Sequence, residues 1–130
     1  MSSNKTVWIG RILSILIAPL FALSAGMKLM FHPEVVKGME HLQLPQTLIR
    51  PLGALELLCL VVYLIPQTAV LGAILLTGYL GGAMLTHARI GEPIYTHVGL
   101  GVLIWLGIWL RDPRLRQLIP LRSTSSSADK

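Results

Sequence analysis

The sequence predicts an all-α integral membrane protein, built as an up-and-down bundle of four transmembrane helices. Apolar residues make up 53% of the 130 residues and charged residues only 13%, about half the share of roughly 25% in soluble domains. The apolar residues fall into four long runs, and most charged residues lie at the ends of those runs. So few charges cannot cover a soluble particle, which excludes an ordinary soluble enzyme and a disordered chain.

The four predicted spans are residues 7–31, 48–65, 69–87 and 94–110, each close to the length of about 20 residues that crosses a bilayer. Only residues 66–68, which begin with Pro66 and Gln67, separate the second and third spans, and so short a connection makes an antiparallel helical hairpin. The second and fourth spans are near the short limit, so we expect them to be little tilted. Four spans leave no room for a soluble catalytic domain.

The longest connection, residues 32–47, contains a further short helix. Val35, Val36, Met39 and Leu42 recur at spacings of three and four, which places them on one face of a helix. A short helix with one apolar face is typical of a segment that lies in the bilayer surface. We therefore expect an interfacial helix between the first and second spans.

The distribution of lysine and arginine predicts the orientation. With four spans both termini lie on one side, and that side carries seven basic residues: Lys5, Arg11, Arg111, Arg114, Arg116, Arg122 and Lys130. The opposite side carries four: Lys28, Lys37, Arg50 and Arg89. Because cytoplasmic segments are enriched in these residues, we expect both termini to be cytoplasmic.

Two terminal segments complete the predicted organisation. Residues 1–122 form a single transmembrane domain that ends in a basic juxtamembrane tail, which suits contact with anionic lipid. Residues 123–130 are rich in serine and are expected to be a disordered tail. The alternative is that Lys5 and the small residues 22–25 belong to a cleaved secretory signal, leaving three spans. The apolar run continues past those small residues, which favours four spans.

Ionisable residues inside the spans are the candidate site. Each costs at least about 2.5–3.5 kcal/mol to insert, so such residues normally face the protein interior and pair. The up-and-down topology brings five of them to the external half of the bilayer: Lys28, Glu56, His87, Arg89 and His97. Glu56 lies roughly 12 Å inside the second span, at a rise of 1.5 Å per residue.

A carboxylate at that depth is protonated or paired. Lys28 and Arg89 lie at a suitable height, and bidentate geometry favours Arg89 as the partner of Glu56. One interpretation is a buried ion pair that fixes helix packing. The other is a polar pocket for a head group, a quinone or a proton. From the residues alone, both interpretations stay open.

Other residue types narrow the chemistry. The single cysteine, Cys59, allows no intrachain disulfide and no C-x-x-C motif, and we expect it to be a packed apolar residue. No two histidines have the helical spacing of a metal site, so no metal is expected. Gly78 and Gly82 form a G-x-x-x-G motif. It predicts tight packing of the third span against its neighbours, or against a second copy in a homo-oligomer.

Three short motifs together resemble the DoxX-like family. They are Gly26-Met27-Lys28-Leu29, Gly53-Ala54-Leu55-Glu56-Leu57 and Thr86-His87-Ala88-Arg89-Ile90-Gly91-Glu92, and the resemblance extends over about residues 11–110. It implies a four-helix protein of the bacterial inner membrane, with its polar positions at Lys28, Glu56, His87 and Arg89. Most small members of the family have no assigned activity, and its name comes from a subunit of a thiosulfate:quinone oxidoreductase.

These observations lead us to expect an accessory or assembly subunit that contacts membrane lipids and a redox or assembly partner protein. The first alternative is a quinone- or lipid-binding redox subunit of a membrane oxidoreductase. The second is a small proton-coupled transporter that acts as an oligomer. No cofactor is evident in the sequence, although quinone is possible, and we expect neither a stand-alone enzyme nor a nucleic-acid-binding protein.

Overall fold

The fold is given by a computed structural model, in which residues 4–122 are described. Every regular element within those residues is a helix, which confirms the predicted all-α class. The helices are α1 (Asn4–Leu29), α2 (Pro33–His41), α3 (Ile49–Leu64), α4 (Ala69–Arg89), α5 (Tyr95–Arg111) and α6 (Pro113–Arg116). The four long helices, α1, α3, α4 and α5, fall on the four apolar runs. The expected disordered tail lies outside the described residues.

The four long helices form a closed ring around one core. Helix α1 packs against α3 and α5, and α4 packs against the same two helices on the other side. The core between them is apolar, and its central members are Ile17, Phe21, Cys59, Leu60, Tyr63, Leu76, Leu80, Ile104 and Ile108. Each helix therefore buries one stripe of residues and turns the rest outward.

The outward faces are apolar, as a lipid environment requires. Large apolar side chains such as Ile15, Leu58, Leu71 and Val102 are exposed, far beyond the isolated apolar residues of a soluble surface. Three segments in the described part of the chain are long and apolar enough to cross a membrane, Asn4–Leu29, Gln46–Leu64 and Pro66–Arg89. Helix α5 is shorter, with 17 residues.

The connections explain how the helices are positioned. The α3–α4 connection is a one-turn 3-10 helix, Pro66–Thr68, so the two helices form the expected antiparallel hairpin. Helix α2 forms where the short helix is expected, with the side chain of His32 accepting a hydrogen bond from the backbone of Glu34. Met39 of α2 is buried, so this helix contacts the bundle. Its location in the bilayer surface stays a prediction.

Tyr63 joins three helices at the end of the bundle away from α2. Its side chain is completely buried, and its hydroxyl donates a hydrogen bond of 2.7 Å to the carbonyl of Ile104 on α5. The same hydroxyl lies 3.2 Å from Ser14 Oγ on α1. The guanidinium of Arg111 donates to the carbonyl oxygen of Tyr63. Helices α1, α3 and α5 are thereby fixed relative to one another.

We expect Tyr63→Phe to lower the free energy of unfolding by about 1 kcal/mol, because the ring stays packed and only the hydroxyl contacts are lost. Unfolding in mixed micelles, followed by circular dichroism, measures the change. Tyr95→Phe is the matched control, since Tyr95 is among the most exposed side chains and should leave stability unchanged. Equal stability of the two variants would show that the buried hydroxyl contributes nothing.

Close helix contacts occur at glycines other than the predicted pair. Among the described residues, a Cβ atom built on Gly78 or Gly82 meets nothing within 4 Å. The motif is therefore not packed against any of the described helices, and that part of the prediction is wrong. A Cβ on Gly72 would lie 2.2 Å from the Tyr63 backbone, and one on Gly10 2.6 Å from the Gly107 carbonyl. These glycines occur at helix crossings, where spacing along one helix carries no information about the partner.

Candidate functional site

A partly open cavity of about 530 Å³ lies at the end of the bundle that α2 covers. Helix α1 ends beside it, α3 begins there, α4 ends there and α5 begins there. Its walls are mostly apolar, with leucines from all four long helices and Met39 from α2. The polar and ionisable side chains that line it are Ser24, Lys28, Glu56, Tyr79, Thr86, His87 and His97.

Glu56 is the centre of the polar cluster in this cavity. It is 2% exposed, and its Oε2 atom accepts from Lys28 Nζ at 2.6 Å, from Ser24 Oγ at 3.1 Å and from Tyr79 OH at 3.0 Å. Lys28 Nζ also donates to Ser24 Oγ at 2.7 Å. The cluster therefore joins α1, α3 and α4 through one carboxylate oxygen.

The local sequence explains why these groups meet. Ser24 and Lys28 are four residues apart on α1, so they lie on the same face of that helix. Gly53, one turn before Glu56, lets α3 approach α1 closely, because a Cβ there would lie 2.7 Å from Lys28 Cβ. The glycine of the Gly-Ala-Leu-Glu-Leu motif thus brings the carboxylate of α3 to the ammonium group of α1.

The electrostatic arrangement leaves the positive end of the pair accessible. The Lys28 side chain is 18% exposed, whereas that of Glu56 is 3% exposed. Lys28 Nζ also lies 5.7 Å from the centre of the Tyr79 ring, in cation–π range. Burial of the carboxylate is offset by one ion pair and two hydroxyl donors, so the cavity presents an ammonium group with its counter-ion behind it.

Arg89 does not pair with Glu56, so the expected partner is wrong. The Arg89 side chain is exposed, and its guanidinium donates to the carbonyl oxygen of Leu42, just after α2. The reason is the height of Arg89 on its helix. Helices α1 and α4 both pack against α3, but Arg89 is the last residue of α4. It lies about 15 Å beyond Tyr79, the α4 residue that donates to Glu56, at a rise of 1.5 Å per residue. Arg89 instead joins α4 to the segment that covers the cavity.

His87 and His97 face each other across the cavity wall between α4 and α5. Their ring centres are 4.6 Å apart, and the Nδ1 atom of His87 donates to the Ala83 carbonyl at 2.7 Å. The Nε2 atom of His87 lies 3.9 Å from Glu92 Oε2, while Glu92 Oε1 contacts His41 Nε2 on α2. The Nδ1 atom of His97 is buried and has no hydrogen-bond partner among residues 4–122.

The structure thus brings four of the five candidate residues, Lys28, Glu56, His87 and His97, to one cavity. It also adds Ser24 and Tyr79, which the sequence reasoning missed. Ser24 could have been found from its spacing of four to Lys28. Tyr79 could have been noticed as the phenol within the glycine-rich span. Residues 4–122 contain no group of three or more His, Cys, Asp or Glu placed to hold a metal ion.

Together, the apolar exterior and the buried ion pair define a helical, multi-pass membrane protein with an ion pair in a mostly apolar cavity of its bundle. The model of the DoxX-like family matches residues 12–110, which contain every residue of the Glu56 cluster. The chain belongs to this family, as its three motifs predicted. No curated protein and no solved structure matched the chain.

Proposed function

We propose that this DoxX-like protein is a four-span protein of the bacterial inner membrane that binds an amphipathic ligand, of the quinone or lipid class, in the cavity. One observation carries the proposal: the Lys28–Glu56 pair lines a cavity of about 530 Å³ instead of being packed shut. Ligand pockets have volumes of about 300–1,000 Å³ and combine apolar walls with a few polar groups. The proposed topology places this cavity in the external half of the bilayer.

The polar groups suit a ligand head that carries oxygen atoms. The Lys28 ammonium can donate to a carbonyl, hydroxyl or phosphate oxygen while it keeps its contact with Glu56. The unpartnered Nδ1 atom of His97 gains a hydrogen bond from such a head, which removes the cost of a buried unsatisfied polar atom. The leucines of the walls then contact the apolar part of the ligand.

A role in redox chemistry follows only through the ligand or a partner protein. A bound quinone supplies the electron chemistry, and the chain's own residues bind and orient its head. Binding a ligand without carrying out the electron chemistry is compatible with an accessory subunit, which holds a ligand for an enzyme that it accompanies. We therefore propose ligand binding as the main role of the protein and assembly with a redox partner as a second role.

A purely architectural role for the cluster is the second candidate. It is favoured by the three donors that Glu56 Oε2 accepts from α1 and α4, since this arrangement stabilises the crossing of three helices without any ligand. Under that interpretation the cavity holds no specific molecule. The same purified protein distinguishes the two roles.

The experiment is native mass spectrometry of the full chain released from native-lipid nanodiscs, with organic extraction to identify bound molecules. We expect one quinone or lipid per protein in the wild type, and its loss in the Lys28→Met/Glu56→Gln double variant. The matched control is Lys37→Met/Glu34→Gln, which removes an ion pair whose side chains are 74% and 68% exposed on α2. Ligand-free wild-type protein, or equal retention by the two double variants, would contradict the binding role.

A further inference from the structure

A second hollow lies on the outer face of the bundle, in the seam between α4 and α5. This outer groove has a volume of about 630 Å³, and its lining is almost wholly apolar. Its walls include Gly81 and Met84 of α4 and Gly101 and Val102 of α5. It opens on the apolar surface that contacts lipid, and the Lys28–Glu56 pair does not line it.

The outer groove and the cavity share two wall residues, Leu80 and His97. Leu80 is almost fully buried, and one of its methyl carbons, Cδ1, is 3.9 Å from where a Cβ on Gly101 would lie. This pair of side chains therefore lies between the two hollows along the seam. The orphaned Nδ1 atom belongs to one of them, His97.

A glycine and two tryptophans keep the outer groove open. A Cβ on Gly81 would meet nothing within 4 Å, so the missing side chain leaves empty space there. Two tryptophans form its far wall, and both indole N–H groups are satisfied: Trp105 donates to Thr77 Oγ1 at 2.7 Å and Trp109 to the Ile119 carbonyl at 2.8 Å. Hydrogen bonds that fix the indoles in an apolar setting keep the groove formed before any ligand arrives.

We infer that the ligand of the cavity carries one long apolar tail, which passes between α4 and α5 at Leu80 and His97 and lies in the outer groove. This inference rests on the proposed function. The shared walls of the two hollows support this route, because a tail that passes Leu80 and His97 leaves the cavity and enters an apolar groove that opens on the lipid-facing surface. A single groove accommodates a single tail, so the geometry points to an isoprenoid quinone instead of a two-tailed phospholipid.

The test compares two quinones in micelles, one with a single isoprene unit and one with a full-length isoprenoid tail. Gly81→Leu places a bulky side chain in the groove, at a position where the added Cβ meets nothing within 4 Å. Gly99→Leu is its matched control on α5, since Gly99 is equally uncrowded and lines neither hollow. We expect Gly81→Leu to weaken binding of the long-tailed quinone about tenfold, the effect of losing roughly two buried methylene groups. Binding of the short-tailed quinone should stay within about twofold, and Gly99→Leu should change neither.

A second measurement uses the wild type alone. A long-tailed quinone with a diazirine at the tail end should label peptides that contain Met84 or Val102, and an excess of a two-tailed phospholipid should not compete. Three results would overturn the proposed path of the tail into the outer groove. They are labelling of other peptides, competition by the phospholipid, and an equal loss of affinity for both quinones in Gly81→Leu. Suppose that binding of the short-tailed quinone depends on Lys28 and Glu56, but Gly81→Leu does not weaken binding of the long-tailed quinone. In that case only this inference fails. If neither quinone binds the wild type, the proposed function fails with it.

Discussion

Lys28→Met should be among the most destabilising single substitutions in this protein, at about 3 kcal/mol, because it leaves the buried Glu56 carboxylate without its cation. Ser24 and Tyr79 still donate to Glu56 Oε2, so the loss should lie at the lower end of the range for broken buried pairs. Unfolding of the purified protein in mixed micelles, followed by circular dichroism, measures this loss.

The double variant Lys28→Met/Glu56→Gln tests whether the two charged side chains are coupled. It removes both charges, so we expect it to lie within about 1 kcal/mol of the wild type and to be more stable than Lys28→Met alone. That recovery makes it suitable for the ligand experiment, since lost binding then cannot result from lost folding. If the double variant is as unstable as the single one, the two side chains are not coupled and the pair does not organise the site.

Gly72→Ala should be similarly damaging, at about 3 kcal/mol, although it adds a single methyl group. The new Cβ would lie 2.2 Å from the backbone nitrogen and Cα of Tyr63, and the backbone of an adjacent helix cannot rotate away as a side chain can. Overpacking of this kind costs about 1–3 kcal/mol, and the value should be at the upper end because α3 and α4 must separate. The same unfolding measurement reports the effect.

Gly78→Ala gives the opposite expectation on the same helix. Its Cβ meets nothing within 4 Å, and alanine favours helix over glycine by about 0.8–1.0 kcal/mol in water, so stability should be unchanged or slightly raised. Comparable losses at Gly72 and Gly78 would contradict the packing described for α3 and α4. A loss at Gly78 that depends on protein concentration would instead indicate a second copy packed on the glycine motif.

Features set by a single segment of this chain can be predicted from the sequence, whereas contacts between helices are harder to predict. The helices follow from composition and periodicity, because an apolar run of fixed length can be read from one segment alone. The meeting of Lys28 with Glu56 was within reach, since topology sets the height of each residue in the bundle. The choice between Lys28 and Arg89 was not, because α1 and α4 both adjoin α3 and the sequence does not show that α4 reaches Glu56 through Tyr79, ten residues before Arg89. The crowded glycines were missed because spacing along one helix does not show what lies opposite it: Gly72 is close-packed because Tyr63 lies opposite it on another helix.

The burial of Cys59 has a practical consequence for work on this protein. It is the only cysteine in the chain and is 2% exposed, so water-soluble thiol reagents have almost no access to it in the folded protein. A cysteine introduced at Tyr95 or Leu121, two of the most exposed positions at opposite ends of the bundle, is then the only accessible thiol. When a membrane-impermeant maleimide is applied to intact cells, the variant that becomes labelled shows which end of the bundle faces outward.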